Sequence, residues 1–461
     1  MCDTIAAIAT PNAPGGIGIL RISGESAIII AERMFFQKET INWSRWNGYS
    51  MHYGVIADKL SAGNERIDEA ICLVFRSPKS YTGEDVVEFS CHGGQLILRR
   101  VLRLALAAGA RLAAPGEFTR RAFLNGRINL AEAEAVMRLI QAQTEDAARA
   151  ATATLGGTLS RAIDEVRTLL IRQAAQISAW MDYPEDEPTD LLELRPKQIS
   201  ANLAAAHQKL HDLMQKSDAA VPLLDGVETV LIGKPNVGKS TLMNLLAGFE
   251  RSIVTEFAGT TRDTVTEAVH LGSLPLRLTD TAGIHAAQNP IERLGVERSH
   301  AAAASAALLL LLLDASQPLT EEDETLLTTC NPARTILLCN KADLGQAFDL
   351  APLRTRFTHV IPFSAATGLG LEALTQAIEA LLGTGDVSPW EALLSTERQR
   401  GCAADALTAL DAAIQAHAEG FPLDAVAVCI EDAIQALYAL TGERATEAIV
   451  DEVFATFCVG K

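Results

Sequence analysis

Residues Gly233-Lys-Pro-Asn-Val-Gly238-Lys239-Ser240 match the pattern G-x-x-x-x-G-K-[ST], which is what binding a nucleotide phosphate chain requires. The glycines let the backbone turn until successive N–H groups face phosphate oxygens, and a helix opening at Lys239 adds its positive dipole end. Asn236, Val237 and Gly238 belong to this loop and are expected to contact GTP. Lys239 brings an ammonium to the β- and γ-phosphates, Ser240 offers Mg²⁺ a hard hydroxyl ligand, and Thr241 continues the helix.

Four further stretches fit the same chemistry in the right order. Gly259-Thr260-Thr261-Arg262-Asp263 precedes an apparent strand; a Thr there reaches Mg²⁺ and the γ-phosphate only while that phosphate is present, so the stretch reads as a switch. Asp280-Thr281-Ala282-Gly283 ends another strand, its Asp reaching Mg²⁺ through water and its Gly N–H the γ-phosphate. Asn340-Lys341-Ala342-Asp343 carries a carboxylate that accepts from the N1–H and N2–H₂ edge of guanine, an edge adenine lacks. Ser364-Ala365-Ala366 then supplies backbone donors to the base. Together these predict a guanine-nucleotide domain. The position after D-T-A-G, often a water-orienting Gln, is Ile284, so His285, Gln288 and the carboxylate Glu292 are the candidates for that role.

The elements around these stretches are legible from periodicity. Thr229–Ile232, Thr264–Leu271, Leu276–Thr279, Leu308–Leu313, Thr335–Cys339 and Val360–Phe363 read as strands, the leucine run being a central parallel one. They imply a doubly wound, mostly parallel sheet over 226–384. Upstream, 1–118 alternates strands (Thr4–Thr10, Ile17–Ile22, Ile71–Phe75, Val86–Ser90) with helices at Ser26–Phe35 and Gln95–Ala108, an α+β domain. Between them, 119–217 turns helical, with Asn129-x-x-Glu132 as a capping box, helices at Glu134–Ala153, Leu159–Asp182 and Leu194–Lys216, and a linker at Ser217–Gly226. Helical periodicity returns over 385–461, at Glu391–His417, Leu423–Leu440 and Glu443–Phe457. The expected layout is multidomain α/β and α, with the nucleotide domain inserted in one helical bundle.

Weaker signals carry bland readings. Pro14-Gly-Gly-Ile-Gly18 lacks the third glycine of a dinucleotide fingerprint. Cys91-His92-Gly93-Gly94 reads as a glycine-rich turn with an ordinary His, and His207 with His211 as a solvated helix face. A length of 461 residues allows about three domains. A net charge of −18 argues against a broadly basic nucleic-acid surface, so any RNA contact is local or shared. The eight cysteines include no C-x-x-C pair and read as reduced thiols. The most apolar run, Ala301–Leu313, is too short to span a bilayer and no signal peptide opens the chain, so a cytoplasmic location and no membrane partner are expected.

G-K-P-N-V-G-K-S, G-T-T-R-D, D-T-A-G, N-K-A-D and a terminal Cys458-Val-Gly-Lys461 together resemble the MnmE (TrmE) family of tRNA modification GTPases. Ala9-Thr-Pro with Gly15-Gly-Ile-Gly-Ile-Leu-Arg-Ile-Ser-Gly24, Tyr81-Thr-Gly-Glu-Asp85, and Pro115-Gly-Glu-Phe-Thr with Arg121-Ala-Phe-Leu-Asn125 extend the resemblance over the whole chain. It implies a homodimer whose N-terminal domain binds a tetrahydrofolate one-carbon donor through Arg21, Glu88, Arg127 and Lys461, with Cys458 as a functional cysteine. It also implies a partner, MnmG, which carries FAD and uses NADH, and the wobble uridine of certain tRNAs as target. In the nucleotide domain Thr255, Glu256, Phe257, Ala258, Gly259, Thr260 and Thr261 would contact GTP. Of these, Thr255, Phe257 and Thr260 would join Asn236 in holding K⁺, Thr261 would join Ser240 on Mg²⁺, and Glu292 would position water. Arg127 stands where Lys is common and keeps the charge; His285 stands where the switch often carries Arg. The rival readings are Arg21 with Glu88 as a surface ion pair, Cys458 as a spectator, and the chain as a GTP-switched RNA-binding or ribosome-assembly module.

Overall fold

A computed structural model describes residues 3–11, 13–37, 48–58, 65–182, 195–249, 266–272, 274–280, 306–384, 388–457 and 460. The chain separates into two compact units, one of residues 1–137, 163–207 and 401–461, the other of 138–162 and 208–400.

In the first unit, strands β1 (Ile5–Ile8), β2 (Ile17–Ser23), β3 (Phe35–Phe36), β4 (Ser50–Asp58), β5 (Glu65–Phe75), β6 (Val86–His92) and β7 (Arg111–Leu112) form one sheet in the order β3-β4-β5-β6-β2-β1-β7. Every pairing is antiparallel except β1 with β7. Helices α1 (Ala27–Met34) and α2 (Gln95–Ala107) supply Ile30, Met34, Leu98 and Val101 to a core that also buries Leu20, Ile22, Val87 and Phe89. Alternation along β2 and β6 leaves Arg21 and Glu88 on the opposite face from Leu20, Ile22, Val87 and Phe89. β4 escaped the sequence reading because its outer half alternates exposed Met51 and Tyr53 with polar residues.

Helices follow: α3 (Glu117–Leu124), α4 (Leu130–Gln141), α5 (Glu145–Leu155), α6 (Thr158–Asp182) and α7 (Arg195–Asp225). The capping box at α4 is formed, with Glu132 N donating to Asn129 Oδ1 and Asn129 N to Glu132 Oε2, both at 2.9 Å. The single helix expected over Glu134–Ala153 is two, because Thr144 caps a new start by accepting from Ala147 N at 3.1 Å. The expected linker Ser217–Gly226 instead continues α7 to Asp225. Buried Ser217 donates to Leu213 O and receives Leu394 N, while Ala220 and Leu223 are buried, so packing sustains the helix through Pro222.

In the second unit β8 (Val227–Ile232), β9 (Thr266–Leu271), β10 (Leu274–Asp280), β11 (Leu308–Asp314), β12 (Thr335–Asn340) and β13 (His359–Pro362) form a sheet in the order β13-β12-β11-β8-β10-β9. Only β9 pairs antiparallel. The leucine run works because β11 is buried on both faces. Leu308, Leu310 and Leu312 pack with α8 (Lys239–Phe249) and α11 (Leu371–Leu382); Leu311 and Leu313 face α9 (Glu321–Thr329) and α10 (Ala351–Arg356). The chain closes with α12 (Glu397–Ala418), α13 (Leu423–Thr441) and α14 (Glu447–Ala455); α12 starts later than expected, since 391–395 is not helical.

Candidate functional site

β8 sits between β11 and β10 in a parallel sheet, which makes its carboxyl end the crevice where such sheets bind ligands. Registers bring the other segments to the same edge: Asp280 lies opposite Leu231, Leu311 opposite Ile232, and Asp314 opposite Asn340. The phosphate loop runs from Gly233 into α8. Asn236 is exposed and left-handed at φ 64°, and Gly238 follows at φ 104°. A Cβ on Gly238 would stand 2.2 Å from Asn340 Nδ2, so no side chain fits there. A stretch that alternates left-handed with ordinary backbone, as Asn236, Val237 and Gly238 do, turns successive N–H groups into one concavity, an anion nest. Lys239 is buried and its Nζ donates to the carbonyls of Gly233 and Lys234, which lays the ammonium along the loop, while Ser240 and Thr241 are exposed in the first turn of α8.

Asn340 does work that its place in N-K-A-D did not reveal. Buried at the end of β12, it donates Nδ2 to Val237 O at 2.6 Å and accepts Ala365 N on Oδ1 at 2.9 Å. One amide thus ties the phosphate loop to Ser364-Ala365-Ala366, of which Ser364 and Ala365 are buried and Ala366 exposed. Lys341 is left-handed at φ 64° and donates to Asp314 Oδ2 at 2.6 Å. Burial works to raise the Asp314 carboxyl, but the Lys341 and Ser316 donors outweigh it and hold it below its ordinary value. Asp343 follows in a short 3₁₀ turn with an exposed side chain. Thr255, Glu256, Phe257, Ala258, Gly259, Thr260, Thr261, Thr281, Ala282, Gly283, Ile284, His285, Gln288 and Glu292 lie outside the described residues.

A second cluster occupies the N-terminal sheet. Arg21 and Glu88 are register partners on β2 and β6, with Nε to Oε1 at 2.7 Å. Arg21 also donates from Nη1 to Gly460 O at 3.4 Å, and its Cζ lies 5.5 Å from the ring centres of both Tyr81 and Phe118. Side-chain exposures of 18% and 16% separate this pair from an ordinary surface ion pair. Gly460, at φ 99°, presses on β1: a Cβ there would meet Ile8 O at 2.4 Å. The chain just before it is anchored by Phe457, which packs with Leu130, Met137, Val450 and Phe454. Arg127 is exposed, with its Cγ 3.3 Å from where a Cβ of Gly83 would stand, and Asn125 Nδ2 donates to Thr82 O at 2.7 Å. Cys458 and Lys461 lie outside the described residues.

The model of the MnmE helical domain matches residues 130–458, and that of the GTP-binding protein TrmE N-terminus matches residues 4–127. The tRNA modification GTPase MnmE of Symbiobacterium thermophilum is 43% identical over 100% of this chain and 99% of its own length. That of Roseiflexus sp. is 42% identical, with 100% and 99% covered, and that of Acetivibrio thermocellus 39%, again with 100% and 99%. The chain belongs to the MnmE family.

It is therefore a GTP hydrolase, and its multidomain α/β and α fold is that of the family. Solved structures matched over part of the chain include Aquifex aeolicus Era bound to GDP·AlF4⁻, at 27% identity over 40% of this chain and 66% of that one with a TM-score of 0.28. Another is the G domain of the T. maritima FeoB iron transporter, at 26% identity, 34% and 98% coverage and a TM-score of 0.27. Among the described residues no helix is long and apolar enough to cross a membrane, and no cluster of three metal-binding side chains occurs. His92, read as an ordinary turn His, ends β6 and pairs its Nδ1 with Asp68 at 2.6 Å. Tyr81 and Phe118 frame Arg21, and nothing in their local spacing marks them as partners of a residue on β2.

Proposed function

We propose that this MnmE-family chain hydrolyses GTP within a tRNA modification complex. With MnmG it would add a carboxymethylaminomethyl or aminomethyl group at C5 of the wobble uridine of certain tRNAs, using a tetrahydrofolate one-carbon donor. The reading assigns 1–118 to folate binding and dimerisation, 226–384 to the nucleotide, and 119–217 with 385–461 to the helical domain, in a cytoplasmic homodimer. The observation that supports folate binding best is the Arg21–Glu88 pair, framed by Tyr81 and Phe118 and capped by the Gly460 carbonyl. A cation, a carboxylate and aromatic faces in one half-buried place suit a ligand with a flat, hydrogen-bonding ring system and acidic groups. Arg127 and Lys461 would add positive charge for those acids, and Cys458 would act close by.

At the nucleotide, Asn236 through Thr241 would cradle the phosphates, Asp343 would select guanine, and Ser364, Ala365 and Ala366 would back the base. The nest fits this role, since the close approach at Gly238 leaves backbone rather than side chain facing the crevice. Ser240 and Thr261 would hold Mg²⁺, with Asp280 reaching it through water, and Asn236, Thr255, Phe257 and Thr260 would hold K⁺. Both ions would supply positive charge where negative charge develops on the phosphate oxygens. Glu292 would orient the attacking water, a role that Ile284 cannot fill. The test is nucleoside analysis of a tRNA transcript incubated with the full chain, MnmG, FAD, NADH, glycine or ammonium, GTP and methylenetetrahydrofolate. Modification should need both GTP and folate; product formed without folate would refute the donor assignment, and product formed without GTP would refute the role of hydrolysis.

A further inference from the structure

Residues 314–323 join β11 to α9 and carry a carboxylate at each end, and each carboxylate holds a lysine from a different arm of the nucleotide site. At one end Asp314 Oδ2 receives Lys341 Nζ at 2.6 Å, while Oδ1 receives Ser316 N at 3.0 Å and Ser316 Oγ at 2.6 Å. At the other, Asp323 Oδ2 receives Lys234 Nζ at 2.6 Å, together with Thr320 N and Oγ1, both at 2.9 Å. Lys234 also donates to Thr320 Oγ1 at 2.8 Å. Lys341 belongs to the base loop and Lys234 to the phosphate loop.

The capping box of α9 accounts for the Thr320 contacts, and a cap needs no lysine from another loop. Nor is this an exposed ion pair of small consequence, for the Asp323 side chain is 5% exposed and that of Lys234 20%. A carboxylate buried to that degree is costly without its cation, so the pair is held once formed. Its effect passes along the backbone: the carbonyl of Lys234 receives Lys239 Nζ at 2.8 Å. The residue that Asp323 grips is therefore the one on which the phosphate-binding lysine rests.

We infer that Asp323 is a positioning residue for GTP, fixing the phosphate loop through Lys234, and that Asp314 does the same for the base loop through Lys341. The segment between them is a bracket that sets the spacing of the two arms. This rests on the GTPase activity of the family and is independent of the folate reading. The bracket touches neither substrate nor reacting atoms, so its signature is in binding rather than chemistry.

The test is release of a fluorescent GDP analogue, with Mg²⁺ present, from the full chain and from Lys234→Met, Asp323→Asn and their double variant. Each single variant should release nucleotide about tenfold faster, and the double variant no faster than the quicker single, because both remove one shared interaction. KM for GTP should rise with kcat within about twofold, and Lys234→Arg, which keeps the cation, should recover most of the loss. Single variants within about twofold of wild type, or effects that multiply in the double variant, would overturn the inference. Should Asp323→Asn fold poorly, Lys234→Met removes the same bond from the loop side, and an unchanged release rate in that variant alone overturns it.

Discussion

The parallel sheet delivers its site residues from strand ends, whereas the antiparallel sheet delivers them from a strand face. At the phosphate loop the residues that matter follow one another along the chain, and the sheet's part is to bring β8, β10, β11 and β12 out at one edge. Around Arg21 they come from β2, β6, the 81–85 stretch, α3 and the chain's end, partners separated by as many as 439 positions. A local motif carries its own geometry; a site assembled from distant pieces has only the fold to hold it. The first should fail through single side chains, the second through anything that loosens a docked segment.

The largest expected effect is at the local site. Lys239→Ala removes the ammonium assigned to the phosphates, which donates to the carbonyls of Gly233 and Lys234, and should lower GTP turnover by about a thousandfold. Replacing KCl with NaCl at equal ionic strength should slow turnover by about tenfold or more, and Asn236→Ala should abolish the difference. Equal rates in both salts would remove K⁺ from the account. At the assembled site, Gly460→Ala places a methyl against Ile8 O in a left-handed backbone, and should weaken folate binding about five- to tenfold by undocking the tail. Limited proteolysis should then cut the tail faster; an unchanged cleavage rate would mean that the tail is not held there.

The smallest effect tests the edge of that same sheet. A hydrogen bond from Arg111 leads the interactions that hold the Asp3 carboxyl down to about 2, with Arg121 adding to it. A carboxyl lowered on folding contributes stability that is complete above its unfolded value, near 4, and lost as pH falls toward 2. Asp3 is more than half exposed, so Asp3→Asn should lower the melting temperature at pH 6 by less than about 2 °C and narrow the gap from wild type as pH falls to 3. A gap that widens on acidification would contradict the pairing.

The same contrast governs what was legible beforehand. The strands of the parallel sheet were readable because burial on both faces forces unbroken apolar runs such as Leu308–Leu313, and the five nucleotide motifs were readable because each keeps its chemistry within a few residues. β4 was not, since half of it faces outward, and neither was the continuation of α7 to Asp225, which depends on burial of Ala220 and Leu223 rather than on propensity. Asn340 was read as a nucleotide residue without its bridge to Val237 and Ala365, because a tertiary hydrogen bond across 103 positions leaves no trace in spacing. Arg21 and Glu88 were reached through family resemblance alone. Their register pairing and their aromatic frame exist only once β2 and β6 are side by side.

The most direct test of the two-site account is a calorimetric titration of the full chain with 5-formyltetrahydrofolate, for wild type and Arg21→Ala, with GDP titrated into the same samples as an internal reference. The account predicts saturable folate binding by wild type and a loss of about tenfold or more in Arg21→Ala, consistent with removal of a charged hydrogen-bonding group. Wild-type protein that binds GDP but no folate, or an Arg21→Ala variant with undiminished folate affinity, would contradict it.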